Sequence, residues 1–321
     1  MEIKELWHIS GTDSVIQKSQ VDETLAEAVV QSYYSFISAG TERIVSMGQV
    51  PGQIANQMRV PYMKGNFPFP VSYGYSVVGK VIKGPDKLKS RFVHLLHPHH
   101  DFVLAKEQDI FLIPDKVPAK RAVFASNMET VVNAIWDSKF QLGDRILIAG
   151  FGTVGALLAL TLMQFPGINV MITDRNRERK NFIKACGIEL FEEGINSDEQ
   201  FDICFHCTGN ENGLQLCIDH ARMEGKIIEL SWYGNKNVNV NLGGSFHIGR
   251  KTIISSQVSN IPVDKKTFWD FKKRKELVFK LLENNIYDRL PCLEIPFTDS
   301  PKFFNRLRND IINEQGLIIR Y

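Results

Sequence analysis

The sequence predicts an α/β protein in which a doubly wound parallel sheet is joined to a second, β-rich domain. Between residues 143 and 256, apolar strand-like segments alternate with helical ones, as is typical of a parallel sheet. A glycine turn opens this region, and short strands separated by glycine and proline lie on both sides of it. We therefore expect the outer segments to form one domain and the middle of the chain another.

The glycine turn lies in the stretch DRILIAGFGTVGALLALTLMQFPGINVMITD, residues 144–174. A strand, a turn with three glycines, an apolar helix and a second strand follow one another there, which is the order of a Rossmann-type dinucleotide site. Gly150 permits the sharp exit from the strand, Gly152 lets the backbone approach a diphosphate, and Gly155 lets helix and strand pack closely. The N–H groups expected to face the phosphates begin the helix, at Thr153 and Val154.

The acidic residue that closes the second strand favours NAD(H) as the cofactor. Asp174 is 24 positions beyond Gly150, where a carboxylate accepts hydrogen bonds from an adenosine ribose and repels a 2′-phosphate. Arg175 and Arg177 argue for NADP(H), because guanidinium groups can clamp that phosphate, although exposure at a helix start also explains them. The residues expected near the nicotinamide half follow two later strands: Thr208, Gly209, Ser231 and Trp232.

The first part of the chain is predicted to be mostly strands and turns. Its expected elements are strands at 2–9 and 25–37, a turn-like stretch (SAGTE) at 38–42, a proline-rich loop at 46–70, a strand pair at 71–84, and further strands with a histidine-bearing loop from residue 91. Such an order suggests a small β-barrel-like domain.

Beyond Pro118 the spacing of apolar residues becomes helical, and strands and helices then alternate. The helices are expected at 119–138, 153–166, 175–186, 213–223 and 265–284, and the strands at 146–149, 168–174, 188–191, 201–207, 226–232 and 252–256, before a final strand, helix and strand. Ligands of such sheets lie beyond the carboxyl ends of the strands, so we expect the site between the two domains. An edge strand near 252–257 would permit a homodimer by sheet extension.

Composition argues against several classes of function. The 321 residues are 44% hydrophobic and 23% charged, and the formal net charge of +2 provides no electrostatic footprint for nucleic acid. No run of about 18 apolar residues is present, and the first residues lack the apolar core of a secretion signal. We therefore expect a cytoplasmic protein that acts on a small-molecule substrate, without a membrane or nucleic-acid partner.

The strings SAGTE, SYGYSVVGKV and GFGTVG together resemble the medium-chain dehydrogenase/reductase superfamily of alcohol dehydrogenase-like enzymes, over nearly the whole chain. NMETVVNAIWD, ELSWYG, GGSFHIGR and SSQV are similar to a bacterial branch loosely related to the bacteriochlorophyllide dehydrogenases. The resemblance implies a GroES-like catalytic domain at 1–118 and 257–321, a Rossmann domain at 119–256, and an NAD(P)-dependent oxidoreductase acting on a carbonyl or alcohol.

Zinc-dependent members of that superfamily carry ligands that this chain lacks. The resemblance aligns Ala39 with the cysteine ligand, Tyr75 with the histidine and Ser76 with the glutamate that follows it, so that only Glu129 could stand for the third ligand. A catalytic zinc needs three protein ligands with nitrogen, sulfur or carboxylate atoms. The cysteine-rich lobe of many relatives is also missing, since no cysteine precedes Cys186. We therefore expect no zinc.

Without zinc, a carbonyl substrate must be polarised by hydrogen-bond donors. Thr41 matches the superfamily position whose hydroxyl touches the substrate oxygen, and Tyr75 either donates to the same oxygen or fills the volume of the missing ligand. Glu129 is a candidate general acid or base, with an ion pair to a residue such as Arg43 as the alternative. His97, in the motif HPHHD, is a candidate proton donor or an ordinary loop histidine.

Two other functions fit the same residues. Reduction of an activated carbon–carbon double bond or of a quinone also needs no metal, and it differs only in where the hydride lands. A chain that lost catalysis together with the metal could instead bind NAD(P)H as a sensor or a partner subunit, because a fold by itself does not determine an activity.

Overall fold

The computed structural model describes residues 1–195, 198–309 and 312–321, and the chain divides into two compact units. The segments of unit 1 are Met1–Ser126, Phe279–Ile312 and Gly316–Tyr321, and those of unit 2 are Asn127–Val278 and Asn313–Gln315. Unit 1 is thus assembled from both ends of the chain, and unit 2 mainly from its middle.

In chain order the strands are β1 (Glu2–His8), β2 (Ser14–Gln20), β3 (Ala28–Phe36), β4 (Lys64–Gly65), β5 (Val71–Ser72), β6 (Val77–Lys83), β7 (Phe92–Leu95), β8 (Phe102–Ala105), β9 (Phe111–Leu112), β10 (Arg145–Ala149), β11 (Asn169–Thr173), β12 (Glu189–Leu190), β13 (Phe201–His206), β14 (Ala221–Glu229), β15 (Thr252–Ser255), β16 (Cys292–Pro296) and β17 (Gly316–Arg320). The helices are α1 (Ala39–Ser46), α2 (Ala119–Ala122), α3 (Ala125–Ser138), α4 (Thr153–Leu162), α5 (Arg177–Ala185), α6 (Glu211–His220), α7 (Ser245–Ile248), α8 (Phe271–Leu282) and α9 (Ser300–Asn309).

The described strands of unit 2 form one six-stranded sheet in the order β12-β11-β10-β13-β14-β15, and each pairing is parallel. The order reverses at β10, from which the chain moves outward first in one direction and then in the other. This is the doubly wound arrangement that the alternating pattern predicts. Its core is a cluster of buried apolar side chains that includes Leu147, Met171, Phe191, Phe201 and Ile227.

The described strands of unit 1 form two mainly antiparallel sheets. The larger follows the order β16-β17-β3-β6-β7-β9, with β8 also paired to β3, and the smaller follows β2-β1-β5-β4. Each face of β1 carries buried side chains, which are those of Ile3, Glu5, Leu6 and His8. Two apolar clusters fill the unit, one around Phe304 and Ile319 and the other around Val77 and Val103.

Several predicted elements differ from the structure, and the causes of three differences are visible. The stretch SAGTE is not a turn but the start of α1, where the Glu42 carboxylate accepts the N–H of Ser38 at 2.8 Å. The helix predicted at 265–284 begins only at Phe271, because the Asp270 carboxylate caps it by accepting the N–H of Lys273 at 2.8 Å. The helix predicted to reach Met223 ends at residue 220, where the backbone becomes extended and begins β14.

The predicted domain boundaries, after residues 118 and 256, also differ from the division between the units. The units divide after Ser126 and after Val278. Residues 257–278 belong to unit 2, where Arg274 and Lys275 pair with Glu129. Among the described helices, none combines the length and the apolar character that crossing a lipid bilayer requires.

Candidate functional site

The glycine turn joins β10 to α4 at the carboxyl edge of the parallel sheet. Gly150 has a φ of +98°, and a Cβ there would lie 3.0 Å from backbone atoms of Cys207. A Cβ on Gly155 would lie 1.9 Å from the carbonyl oxygen of Gly150, so no larger residue fits. At Gly152, in contrast, a Cβ would meet no atom nearer than Arg179 Nη1 at 3.9 Å. The structure therefore gives a packing reason for the outer two glycines, while a Cβ on the middle one would make only an ordinary contact.

The start of α4 has the features of an anion site. Its cap residue, Gly152, has no side chain to accept the first N–H groups of the helix, which Thr153 and Val154 begin. The hydroxyl of Thr153 donates to the carbonyl oxygen of Gln315 at 2.5 Å, and Gln315 Nε2 donates to the carbonyl oxygen of Phe151 at 3.2 Å. Gln315 thus stabilises the turn through two hydrogen bonds, while the N–H groups of the helix start stay available to a phosphate.

Asp174 lies directly beside this turn. Its Oδ2 atom accepts the N–H of Phe151 at 2.7 Å, and its Oδ1 atom accepts the N–H of Asn176 at 2.8 Å. Nη1 of Arg179 is 3.6 Å from Oδ2. Two N–H groups and one guanidinium therefore fix the position of the carboxylate at the end of β11, where the sequence places the adenosine ribose.

The arginine beside Asp174 is not one of the two that the sequence singles out. Arg175 and Arg177 are exposed, which agrees with the second interpretation given to them. Arg179 instead turns towards the carboxylate, and its Nε atom donates to the carbonyl oxygen of Asn313 at 2.9 Å. The sequence carries a weak signal for it, because Asn176 caps α5 and Arg179 lies in the first turn that this cap starts.

The four residues predicted near the nicotinamide follow neighbouring parallel strands, β13 and β14. The N–H of Gly209, which has a φ of +63°, donates to Ser231 Oγ at 2.9 Å. Thr208 precedes that glycine and is exposed, and Trp232 follows the serine and is half-buried. These residues therefore share one edge of the sheet, and their contact with a nicotinamide stays a prediction.

The structure brings together Thr41 and Tyr75, the two hydroxyl residues that the sequence selects in the first domain. The side chains of Ser38 and Thr41 lie close enough to the Tyr75 hydroxyl to lower its pKa slightly. Burial, together with the nearby charge of Glu42, raises the pKa of Tyr75 to about 12. The phenol therefore keeps its proton at neutral pH and can act as a hydrogen-bond donor.

A buried polar chain that the sequence interpretation missed continues from these hydroxyls. Glu42, which accepts the N–H of Ser38, is 2.8 Å from His99 Nε2, and both side chains are completely buried. Nδ1 of His99 is in turn 2.7 Å from Ser35 Oγ, which is 2.9 Å from the hydroxyl of Tyr321. His99 is one of the histidines of HPHHD, but its partner Glu42 is 57 residues away, so no local motif links them.

His97 occupies a different environment. Its Nδ1 atom donates to the carbonyl oxygen of Pro98 at 2.8 Å, and its ring lies against those of Tyr62 and His100. Burial lowers the pKa of His97 to about 4, which keeps the ring neutral at physiological pH. The described contacts of His97 do not include Thr41 or Tyr75, and His99 holds the position beside Glu42.

Glu129 forms a buried ion cluster. Its Oε1 atom is 3.4 Å from Nε of Arg274, and its Oε2 atom is hydrogen-bonded to Nζ of Lys275. The ion-pair interpretation is thus favoured, but Arg43 is the wrong partner, because its guanidinium donates to the carbonyl oxygen of Arg308 at 2.9 Å. Residues 145 and 146 positions further along the chain supply the two cations.

The residues at the zinc-ligand positions do not fit a catalytic zinc. Ala39 has no ligand atom, the Tyr75 phenol retains its proton, and both carboxylate oxygens of Glu129 already face cations. Within the described part of the chain, no three histidine, cysteine, aspartate or glutamate side chains are arranged to hold a metal ion.

No family model matches the chain. The (R,R)-butanediol dehydrogenase of Neisseria gonorrhoeae is 26% identical over 151 residues, which are 43% of this chain and 42% of that protein. The uncharacterized zinc-type alcohol dehydrogenase-like protein YphC of Escherichia coli is 24% identical over 182 residues, 51% of this chain and 49% of that protein. The chain thus matches about half the length of these curated relatives.

Solved structures match over the whole chain. L-idonate 5-dehydrogenase of Escherichia coli has a TM-score of 0.77 at 14% identity, and covers 100% of this chain and 99% of its own. The short chain alcohol dehydrogenase rspB of Escherichia coli, solved with NADH, has a TM-score of 0.75 at 13% identity. TarJ of Staphylococcus aureus, solved with NADPH, has a TM-score of 0.74 at 17% identity. Each match covers 100% of this chain and 99% of the other. This chain has the medium-chain dehydrogenase/reductase fold.

The fold shared with these solved dehydrogenases confirms the predicted fold class, and the relatives agree with the resemblance to alcohol dehydrogenase-like enzymes. The zinc-lacking branch within that superfamily stays a prediction. So does the choice of cofactor, because the solved structures that share the fold include one with NADH and one with NADPH.

Proposed function

We propose that this protein is an NAD(P)-dependent oxidoreductase that transfers a hydride between the nicotinamide and a carbonyl or alcohol substrate, without a catalytic zinc. The observation that carries the proposal is the glycine turn. Gly152 caps a helix start that no side chain caps, and Asp174 is held beside it. A Cβ on Gly152 would make only an ordinary contact with Arg179 at 3.9 Å, so packing alone does not require a glycine there.

We infer that the cofactor is NAD(H). The carboxylate of Asp174 is fixed by the N–H groups of Phe151 and Asn176 and by Arg179, and it cannot turn away from an incoming phosphate. A 2′-phosphate would meet this negative charge, whereas a ribose hydroxyl can still donate to the carboxylate. Arg175 and Arg177 are exposed, and they would favour NADP(H) only if their side chains folded back over the ribose.

The cofactor supplies the hydride, and the chain supplies orientation and a proton. The hydroxyls of Thr41 and Tyr75 lie close together, and the phenol of Tyr75 keeps its proton at neutral pH. Either group can donate to a substrate oxygen and draw a replacement proton through the other or through Ser38. Glu42 and His99, hydrogen-bonded behind them at 2.8 Å, orient the start of α1 that carries Thr41.

Zinc independence rests on the donor set. The positions that hold zinc in metal-dependent relatives carry an alanine, a protonated phenol and a carboxylate bound to Arg274 and Lys275. Hydrogen-bond donors must then polarise the substrate oxygen, which Thr41 and Tyr75 are able to do. A purified enzyme that contains one stoichiometric zinc, and loses activity when that zinc is chelated, would contradict this part of the proposal.

The experiment that tests the function combines binding and turnover. NADH and NADPH fluorescence titrations measure the two affinities, and NADH oxidation at 340 nm is followed with panels of aldehydes, ketones, enones and quinones. We expect tighter NADH binding and turnover of at least one carbonyl. Turnover of only enones or quinones would favour the double-bond alternative, and tight binding without turnover in any panel would favour a sensor.

Variants of the two hydroxyl residues sharpen the test. We expect Tyr75→Phe and Thr41→Val each to lower kcat by about 10²-fold while the Kd for NADH stays unchanged, because the lost donor acts on the substrate oxygen. Tyr73→Phe is the matched control, since Tyr73 also contributes a buried phenol but its hydroxyl contacts the carbonyl oxygen of Met58 at 3.4 Å. Equal losses in the control would contradict the assigned roles.

A further inference from the structure

Two neighbouring strands of the parallel sheet end in a histidine and a glutamate that face each other. His206 is the last residue of β13, Glu229 is the last residue of β14, and the two are paired in register. Nδ1 of His206 lies 2.9 Å from each carboxylate oxygen of Glu229. The imidazole is completely buried and the carboxylate is 13% exposed, so the pair lies just beneath the carboxyl edge of the sheet.

Hydroxyl groups extend this pair in both directions. Oγ1 of Thr208 is 2.6 Å from Nε2 of His206, while Glu229 accepts the N–H of Ser231 at 2.7 Å and the hydroxyl of Tyr233 at 3.2 Å. Because a carboxylate faces Nδ1, that nitrogen carries a proton, and Nε2 accepts from Thr208 in the neutral ring and donates to it in the protonated ring. Thr208, His206 and Glu229 therefore form a continuous hydroxyl–imidazole–carboxylate array.

The charge of this array depends on one proton. With His206 neutral the array carries the single negative charge of Glu229, and with His206 protonated it carries none. The other titratable groups around it stay neutral, because burial and the charge of Glu229 raise the pKa values of Tyr233 and Cys207. Burial and the neighbouring Cys204 raise the pKa of Cys217 in the same direction. In the described part of the chain, the ion-pair partner of Glu229 is His206.

The position of the array in the sheet indicates which half of a dinucleotide it would meet. In an open parallel sheet a dinucleotide lies along the carboxyl edge, with the adenosine ribose at the strand that ends in the acidic residue. Here that strand is β11, which precedes Asp174, and the array lies on the opposite side of β10, at the ends of β13 and β14. The nicotinamide half belongs on that side. Its ring is positively charged when oxidised and neutral when reduced.

We propose that the array of Thr208, His206 and Glu229 distinguishes the oxidised from the reduced cofactor by charge, and binds NAD⁺ in preference to NADH when His206 is neutral. The inference rests on the proposed function, since it requires a dinucleotide at the glycine turn. Binding and protonation are reciprocal, so the positive ring and the proton on His206 oppose each other. A proton on His206 therefore weakens NAD⁺ binding, and bound NAD⁺ disfavours a proton on His206.

The test is the ratio of the Kd for NADH to the Kd for NAD⁺, measured on the full chain by calorimetry at fixed salt from about pH 5.5 to about pH 8.5. We expect the ratio to rise with pH in the unmodified protein. Glu229→Gln should lower it roughly ten-fold at the upper end, since it removes one charge near the ring. His206→Gln should keep the ratio high but make it independent of pH.

The matched control is Glu224→Gln, which removes the same charge from the same strand. Glu224 is 68% exposed, pairs with Arg250 and precedes Glu229 by five residues, so the ratio should not change. If Glu229→Gln does not fold, His206→Gln still decides, because the dependence on pH must disappear.

The two proposals fail in different ways. A protein that binds neither NADH nor NAD⁺ contradicts the proposed function. A protein that binds both, with a ratio that neither pH nor Glu229→Gln changes, retains that function and contradicts the charge discrimination. In that case the array only joins the ends of two strands.

Discussion

Both carboxylate oxygens of Glu129 face cations of α8, with Arg274 Nε 3.4 Å from Oε1 and Lys275 Nζ hydrogen-bonded to Oε2. All three side chains are at least nine-tenths buried. A carboxylate in such a cluster has little freedom to exchange protons with a substrate, because each proton would leave two buried cations without their counter-charge. The geometry therefore favours a structural role over the general acid or base that the sequence suggests.

Replacement of Glu129 tests that role. We expect Glu129→Gln to lower the free energy of unfolding by about 3 kcal/mol, since the substitution removes the charge that Arg274 and Lys275 face. The pH profile of turnover should keep its shape. Urea denaturation measures the first quantity and initial rates across pH the second. Glu276→Gln, which changes an exposed residue of the same helix, should alter neither, and a displaced pH profile in Glu129→Gln alone would restore the catalytic hypothesis.

The site residues that the sequence could select are those that lie in recognisable strings, and their roles stay predictions. The three glycines, Asp174 and the pair of Thr41 and Tyr75 belong to short strings with fixed spacing. The pairs that were missed join distant parts of the chain: Glu42 with His99 across 57 residues, and His206 with Glu229 across 23. Such pairs depend on strand order and register, which a single sequence does not carry.

At the scale of elements, the strands were predictable from alternation and apolar runs, while several helix ends were not. α1 begins within SAGTE because the side chain of Glu42 reaches back to the N–H of Ser38, and α8 begins at Phe271 because Asp270 caps it. A cap depends on one side-chain rotamer, whereas periodicity is the sum over many residues. The interior of an element is therefore easier to predict than its end.

The glycine turn provides a prediction at this scale, because its glycines differ in the space around them. Gly152→Ala should fold with nearly unchanged stability, since its backbone (φ −74°, ψ −167°) is extended and a Cβ meets nothing within 3.9 Å. NADH affinity should nevertheless fall by about ten-fold or more, because the methyl group occupies the path of the diphosphate. Thermal unfolding and a fluorescence titration of the same sample measure both effects.

Gly155→Ala is the control for Gly152→Ala, because this substitution should change stability as well as binding. A Cβ there would lie 1.9 Å from the carbonyl oxygen of Gly150, so the strand and helix must separate. We expect a loss of about 1–3 kcal/mol of stability together with the loss of binding. If Gly152→Ala also unfolded, or bound NADH as well as the unmodified protein does, the open position would have no connection with a nucleotide.

At the scale of the whole molecule, the chain consists of two units of which one is built from both ends of the sequence. The sequence instead predicted the boundaries after residues 118 and 256, because residues 257–278 carry no motif that assigns them to either unit. These residues belong to unit 2, where Arg274 and Lys275 pair with Glu129. This contact links positions more than 140 residues apart. Composition and periodicity describe segments, and tertiary contacts decide which unit a segment joins.

The edge of the parallel sheet carries the last prediction. β15 is the outermost strand beside β14, and along it Thr252, Ile253 and Ser255 are exposed. An edge with unpaired N–H and C=O groups and an exposed isoleucine can pair with the same edge of a second copy about a two-fold axis.

We expect a homodimer by light scattering coupled to size-exclusion chromatography. Ile253→Lys should shift it towards monomer, whereas Leu142→Lys, at a residue that is 77% exposed elsewhere in unit 2, should not. A dimer that persists in Ile253→Lys would require a different interface.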